Sequence, residues 1–372
     1  MCSEDVKDWI TLSMIPGVGG VIFKRLLDFF GSPKAVLNAS LKQLNSVIGL
    51  TPLICDAIIE YRGKISIDKE MDLIQRNNCR IITIRDKSYP ENLKAIYDPP
   101  PVIYVIGDIL PEDSHAISVV GTRKASAYGK EAAEYISGQL ASKGYTVISG
   151  MAYGIDTAAH KAALKSRGRT IAVMGNGVDI VYPERNAGLR KEIMASGAIV
   201  SEFSMGTPPL KANFPRRNRI VSGMSLGTLI VEAPERSGAL ITADCALEQG
   251  REVFAIPGQI FSQKSSGTHD LIKQGAKLVH SVQDIISELP PLESLKSKIQ
   301  KTEEEIFEVN LTGDERIVWE SIGSSPIYID NISRQAKLPA YKVAAVLVML
   351  ELKGLVSQSA GKMFTRKSSV PD

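Results

Sequence analysis

Four cations, Lys211, Arg216, Arg217 and Arg219, fall within nine positions of the segment KANFPRRNRI, and residues 203–231 around them contain no Asp or Glu. A local charge of +4 with no acid in its own window is the footprint expected of a surface that holds a phosphate chain. Phe214 sits among these cations. Charge for a backbone and a ring face for a base are together what hold a single strand without reading its sequence. Three upstream segments share this anion-holding character: GTRKAS (Gly121, Thr122, Arg123), SGMAYGID (Gly150, Gly154) and GNGVD (Gly175, Gly177), the last followed by Tyr182-Pro183. Glycine admits close approach of backbone to an anion, a helix start offers free N–H groups, and Arg123 adds a planar fork. Neither G-x-G-x-x-G nor G-x-x-x-x-G-K-[ST] occurs, so a dinucleotide cofactor and a Walker-type nucleotide site are not expected.

Other chemistries have little to stand on. Cys2, Cys55, Cys79 and Cys245 form no C-x-x-C pair, and His115, His160, His269 and His280 are scattered. Only Asp156 and His160 share a helical i,i+4 spacing, so neither a metal centre nor a Ser/His/Asp triad is expected.

The elements that must carry the glycine segments are legible as apolar runs. Strands are expected at residues 81–84, 102–106, 117–120, 146–148, 170–174, 198–200, 228–231, 253–256 and 277–279. From residue 117 onward most are separated by helical patterns. Buried strands alternating with helices indicate a doubly wound, mostly parallel sheet of the Rossmann-like kind, whose ligands bind beyond the carboxyl ends of the strands. The three glycine segments fall at those ends, and KANFPRRNRI reads as a fourth loop on the same rim.

Before the sheet, residues 1–63 read as a small all-helical domain of the SAM or helix-hairpin-helix kind. Its IPGVG turn (Pro16, Gly17, Gly19) resembles the hairpin whose amides hold a DNA phosphate, and a second turn follows at residues 47–50. The core is expected over 64–289 and a charged linker over 290–310. A helix, strand, helix, helix, hairpin order over 311–367 is that of a winged helix. Its recognition helix, 341–353, is mostly apolar, and Lys362, Arg366 and Lys367 make the wing basic.

Composition bounds the rest. With 372 residues, 44% hydrophobic and 23% charged, and a net charge of +3, the chain reads as a multidomain globular protein with no membrane-spanning run. The opening MCSEDVKDWI is acidic before it is apolar, the wrong order for a secretory signal, so a cytoplasmic location is expected.

The segments GTRKAS, ISGMAYGIDTAAH, GNGVDIVYP, KANFPRRNRI and SGALITADCALEQGREVFAIPG, with YPENLKAIYDPPP upstream, resemble the DprA/Smf family of DNA-processing proteins. The similarity runs in order over residues 80 to 285. It implies a Rossmann-like core that binds single-stranded DNA, forms a homodimer and helps load the RecA recombinase on incoming DNA during natural transformation, without catalysis. By motif match it assigns the DNA contact to Arg123, Lys211, Phe214, Arg217 and Arg219. Gly121, Thr122, Gly150, Gly154, Gly175, Gly177 and Asn218 belong to the same rim.

An enzymatic alternative is weaker. Gly227-Thr228 followed by Glu232 is loosely similar to the G-G-x-G-T-x-x-E loop of lysine-decarboxylase-like nucleoside monophosphate phosphoribohydrolases. Met224 and Ser225 replace the paired glycines, and the carboxylate falls one residue late. On a strand that shift turns it to the other face.

Overall fold

A computed structural model describes residues 3–291, 313–322, 327–353, 355–359 and 363–366. Two compact units, 1–292 and 293–372, divide the chain. In the first, five helices, α1 (Ser3–Met14), α2 (Gly20–Phe30), α3 (Pro33–Asn38), α4 (Leu41–Asn45) and α5 (Pro52–Tyr61), precede α6 (Ile67–Arg76). The sheet strands are β1 (Arg80–Thr83), β2 (Val102–Gly107), β3 (Ala116–Val120), β4 (Thr146–Ser149), β5 (Thr170–Val173), β6 (Ala198–Ser201), β7 (Gly227–Ile230), β8 (Glu252–Ala255) and β9 (Lys277–Leu278). Between them run α7 (Glu91–Lys94), α8 (Ala127–Ser142), α9 (Ile155–Lys165), α10 (Ala187–Ser196), α11 (Asn213–Gly223), α12 (Gly238–Glu248) and α13 (Ser266–Lys273), and α14 (Val282–Ile286) follows β9.

The nine strands lie in the order β1-β2-β6-β5-β4-β3-β7-β8-β9. From β6 to β9 every neighbour is parallel, while β2 runs antiparallel to both β1 and β6. Strands β3 to β7 are buried at every residue, as a parallel sheet covered on both faces demands. The period of two appears in β2: Val102, Tyr104 and Ile106 join the apolar cluster of the N-terminal helices (Trp9, Leu12, Phe23), whereas Ile103 and Val105 join the opposite cluster with Ile220 and Val221 of α11. The helical N-terminal region therefore packs directly on one sheet face.

The order reverses between β3 and β7. After β3 the chain winds through β4, β5 and β6, then returns along α11 to place β7 on the other side of β3. Such a reversal usually opens a ligand crevice. Here Glu232, just past β7, fills it. Its backbone oxygen accepts the Thr122 N–H at 2.8 Å, and its buried carboxylate accepts the Ser126 N–H at 2.9 Å and the Ser126 hydroxyl.

One sequence expectation changes here. KANFPRRNRI is not a loop, because residues from Asn213 onward form α11. Pro215 is tolerated there because it stands in the first turn, where an N–H has no helical partner.

The second unit contains α15 (Gly313–Glu320), β10 (Ile327–Tyr328), α16 (Ile329–Ala336), α17 (Ala340–Leu352), β11 (Val356–Ser359) and β12 (Met363–Arg366), with sheet order β10-β12-β11. This is the winged-helix order. Val318, Ile332, Val343, Leu347 and Phe364 make its core. The two lysines of the α17 segment are engaged within the unit, Lys342 with Asp314 at 3.2 Å and Lys353 with Glu315 at 2.7 Å. Most of the expected linker, and Lys362 and Lys367 of the wing, lie outside the described residues.

Candidate nucleic-acid interface

The carboxyl rim of β3, β4 and β5 forms a recess whose lining includes Arg123, Gly150, Asn176, Tyr182 and Phe214. Phe214, in the first turn of α11, is its centre. The Arg123 guanidinium lies over that ring at 5.2 Å, Arg217 at 5.9 Å, and the Tyr182 ring centroid at 5.7 Å. Arg123 is exposed and Phe214 is half-buried. Lys211, also exposed, has no ion pair among the described residues. One aromatic ring and the exposed Arg123 thus share this rim, and exposed Lys211 stands in the turn that enters α11.

The glycines let the rim fold upon itself. Gly154 has φ +80°, and a Cβ there would come within 2.4 Å of the Thr122 carbonyl oxygen, so the β4–α9 turn presses on the GTR segment. A Cβ on Gly175 would strike the Phe214 ring at 2.8 Å, and one on Gly150 the Arg217 guanidinium at 2.4 Å. Gly121 and Gly177 likewise abut neighbouring backbone, with the oxygens of Glu232 at 3.0 Å and of Ser204 at 2.7 Å from such a Cβ. Their backbone is approached by protein.

Arg217 requires revision as a phosphate ligand. It points inward, 5% exposed, and donates to the carbonyls of Gly150, at 2.8 Å, and Val173, and from Nε to Asn218 Oδ1 at 3.2 Å. Burial lowers its pKa to about 10 although Asp156 pulls it up, so the guanidinium stays charged at neutral pH. Asp156, fully enclosed, is pushed up by burial and held down by Arg217 and by the Ala152 and Gly150 amides. His160, one turn along α9, drops to about 3 through burial and the Arg217 charge, remaining neutral with Nδ1 at 2.7 Å from the Thr170 hydroxyl. Asn218, which accepts from Arg217, extends this buried network by donating to the Gly238 carbonyl at 3.1 Å.

Two other cations are paired by acids outside the acid-free window. Arg216 and Arg219 both donate to one Glu202 oxygen at 2.8 Å, and Arg219 Nε reaches Asp98 at 3.1 Å. Glu202 stands one residue before that window, so widening it would have found this partner. Asp98 is 121 positions from Arg219 and left no sequence signal. The loop entering α11 is fixed by Asp179, which accepts the Gly206 N–H at 3.0 and 2.9 Å, and by Glu70 of α6, which accepts the Met205 N–H at 2.9 Å. Burial pushes the Glu70 carboxyl upward. Among the described residues no helix is long and apolar enough to cross a membrane, and no group of three or more His, Cys, Asp or Glu side chains could hold a metal ion.

Fold and rim together define a class: a doubly wound sheet with an aromatic and cationic carboxyl rim, joined in one chain to a winged helix. Residues 80–290 match the family model described as DNA recombination-mediator protein A, and residues 308–362 that of the DprA winged helix domain. The chain belongs to the DprA/Smf family of DNA-processing proteins. It is 37% identical over 367 residues to protein Smf of Escherichia coli K12, covering 96% of this chain and 95% of that one. To DNA processing protein DprA of Bacillus subtilis it is 45% identical over 210 residues, 56% of this chain and 71% of that one. The X-ray structure of DprA from Streptococcus pneumoniae superposes with a TM-score of 0.68 at 35% identity, covering 77% of this chain and 98% of that one. A structure reporting the single-stranded DNA binding mode of DNA processing protein A from Helicobacter pylori gives 0.51 at 29% identity, over 56% and 95%.

Proposed function

We propose that this chain is a non-catalytic single-stranded-DNA-binding recombination mediator, which protects incoming DNA and helps load RecA during natural transformation. The observation that carries this reading is the Phe214 ring under the exposed Arg123 guanidinium on the strand rim, with exposed Lys211 in the turn just before α11. An aromatic face with flanking cations suits a backbone whose bases are free to stack. The single-stranded DNA binding of the Helicobacter pylori relative and the family membership support it.

The hydrolase alternative needs an accessible carboxylate at the switch point. Glu232 is 3% exposed and committed to Ser126. Titration with labelled single-stranded and blunt duplex oligonucleotides at several salt concentrations tests the reading. Tighter binding of the single strand for several unrelated sequences is expected, with AMP recovered intact from the same protein. Equal affinity for both forms at moderate salt would defeat it.

A homodimer is part of the same proposal. On α12, Ala239, Ala243 and Ala246 are core residues, whereas Leu247 is 56% and Ile241 39% exposed. Two such aliphatics on a short helix favour a second apolar surface. Light scattering at micromolar protein is expected to give about twice the 40.4 kDa chain mass; a mass that stays monomeric at every concentration would remove this part.

A further inference from the structure

Arg219 is held by two carboxylates of different character. Glu202 is 3% exposed in its side chain and binds Arg216 as well, so it is a permanent part of α11's support. The Asp98 side chain is 37% exposed, whereas the Arg219 side chain it pairs with is 13% exposed. Its other oxygen accepts the Val21 N–H, in the first turn of α2, at 3.2 Å. Gly20 beside it has no room for a side chain, since a Cβ would meet the Asp98 carboxylate and the Pro99 oxygen at 2.4 Å. One carboxylate thus bridges the glycine hairpin of the N-terminal helices and the basic helix of the rim. The Val21 amide, an N–H of the hairpin class that can hold a phosphate, is spent on it. Arg219 also keeps one donor, Nη1, buried with no hydrogen-bond partner.

We propose that Asp98 is an internal competitor of DNA phosphate for Arg219: a strand crossing α11 exchanges with this carboxylate, and Asp98 thereby sets the affinity of the rim. The pair is open to solvent on its Asp98 side, where screening weakens it enough to exchange, and a phosphate entering from that side offers the same oxygen geometry to a guanidinium fork. Only Asp98 can leave, because withdrawing Glu202 would bury an unpaired charge. This inference rests on the single-strand reading above.

The test compares Asp98→Asn, Arg219→Ala and their combination in single-strand titrations across salt, with Glu184→Gln as the control for simple charge removal. Glu184 is an exposed carboxylate just past Pro183. Asp98→Asn is expected to bind about two- to fivefold tighter, with the slope of log K against log salt steeper by about 0.7 for the additional phosphate that Arg219 neutralises. The gain should vanish when Arg219 is Ala. Asn retains an acceptor for the Val21 N–H; if its thermal melt nevertheless shows lost structure, Asp98→Ser removes the same charge and should give the same gain. A gain equal to that of Glu184→Gln, or one that survives in the Arg219→Ala background, overturns the proposal. Wild-type protein that binds no single strand defeats the single-strand reading and the proposal with it, whereas normal wild-type binding with an unchanged Asp98→Asn defeats the proposal alone.

Discussion

Arg217→Ala is expected to destabilise the fold by about 3–5 kcal/mol, the usual cost of removing one partner from a buried set of charges. The side chain ties the end of β4, through the Gly150 carbonyl, to the end of β5, through Val173. Truncation leaves both carbonyls short of a donor and Asp156 enclosed without its counter-charge. Urea denaturation checks this directly. Arg216→Ala, one residue away but 52% exposed in its side chain, should move stability by no more than about 1 kcal/mol. Arg219 still pairs Glu202 in that variant. Any loss of DNA binding by Arg217→Ala would then report a collapsed rim. An Arg217→Ala protein as stable as wild type, whose salt slope had flattened by about 0.7 as when one phosphate goes unneutralised, would show that this arginine reaches the strand after all.

The contrast between Arg216 and Arg217 explains how far the sequence could be read. Apolar runs mark all nine strands, those of β3 to β7 being continuous because that part of the sheet is covered on both faces, and their order in the chain predicts the doubly wound class. What they could not give was the direction of one arginine. Read as a loop, KANFPRRNRI offers every cation to solvent. As a helix it turns Arg217, Asn218, Ile220 and Val221 inward and leaves Arg216 outside. Pro215 does not stop that helix, because the hydrogen bond a proline costs inside a helix is not lost in the first turn. Gly150 and Gly175 were correctly placed at strand ends, yet the groups that press on them are Arg217 and Phe214, from a crossover tens of residues later. Charge balance failed for a similar reason. Glu202, at the β6 end of the sheet, lies one residue outside the acid-free window, whereas Asp98, at the β2 end, reaches α11 only through the fold.

Phe214→Ala and the pair Arg123→Ala, Lys211→Ala should separate stacking from charge at the rim. Phe214 is partly exposed and touches Gly175, Tyr182 and two guanidinium groups rather than the deep core. Its truncation should therefore spare the fold while removing the face on which a base rests. That loss is expected to weaken single-strand binding by about 1 to 3 kcal/mol with the salt slope nearly unchanged, because stacking releases no counterions. Lys211 has no ion pair among the described residues and Arg123 rests on the ring. Each should flatten the slope by about 0.7 when changed to Ala, alike for every sequence tested. Arg123→Ala should also show part of the Phe214 effect, since the guanidinium and the ring form one stack and a base can rest only where both are positioned. In a double-mutant cycle, Arg123→Ala and Phe214→Ala should accordingly be less than additive, whereas Lys211→Ala and Phe214→Ala should add. An Arg123→Ala protein with wild-type affinity and slope would mean that the strand crosses α11 without touching the GTR turn. The path would then run from Phe214 toward Arg219 alone, leaving the β3 end of the rim outside the interface.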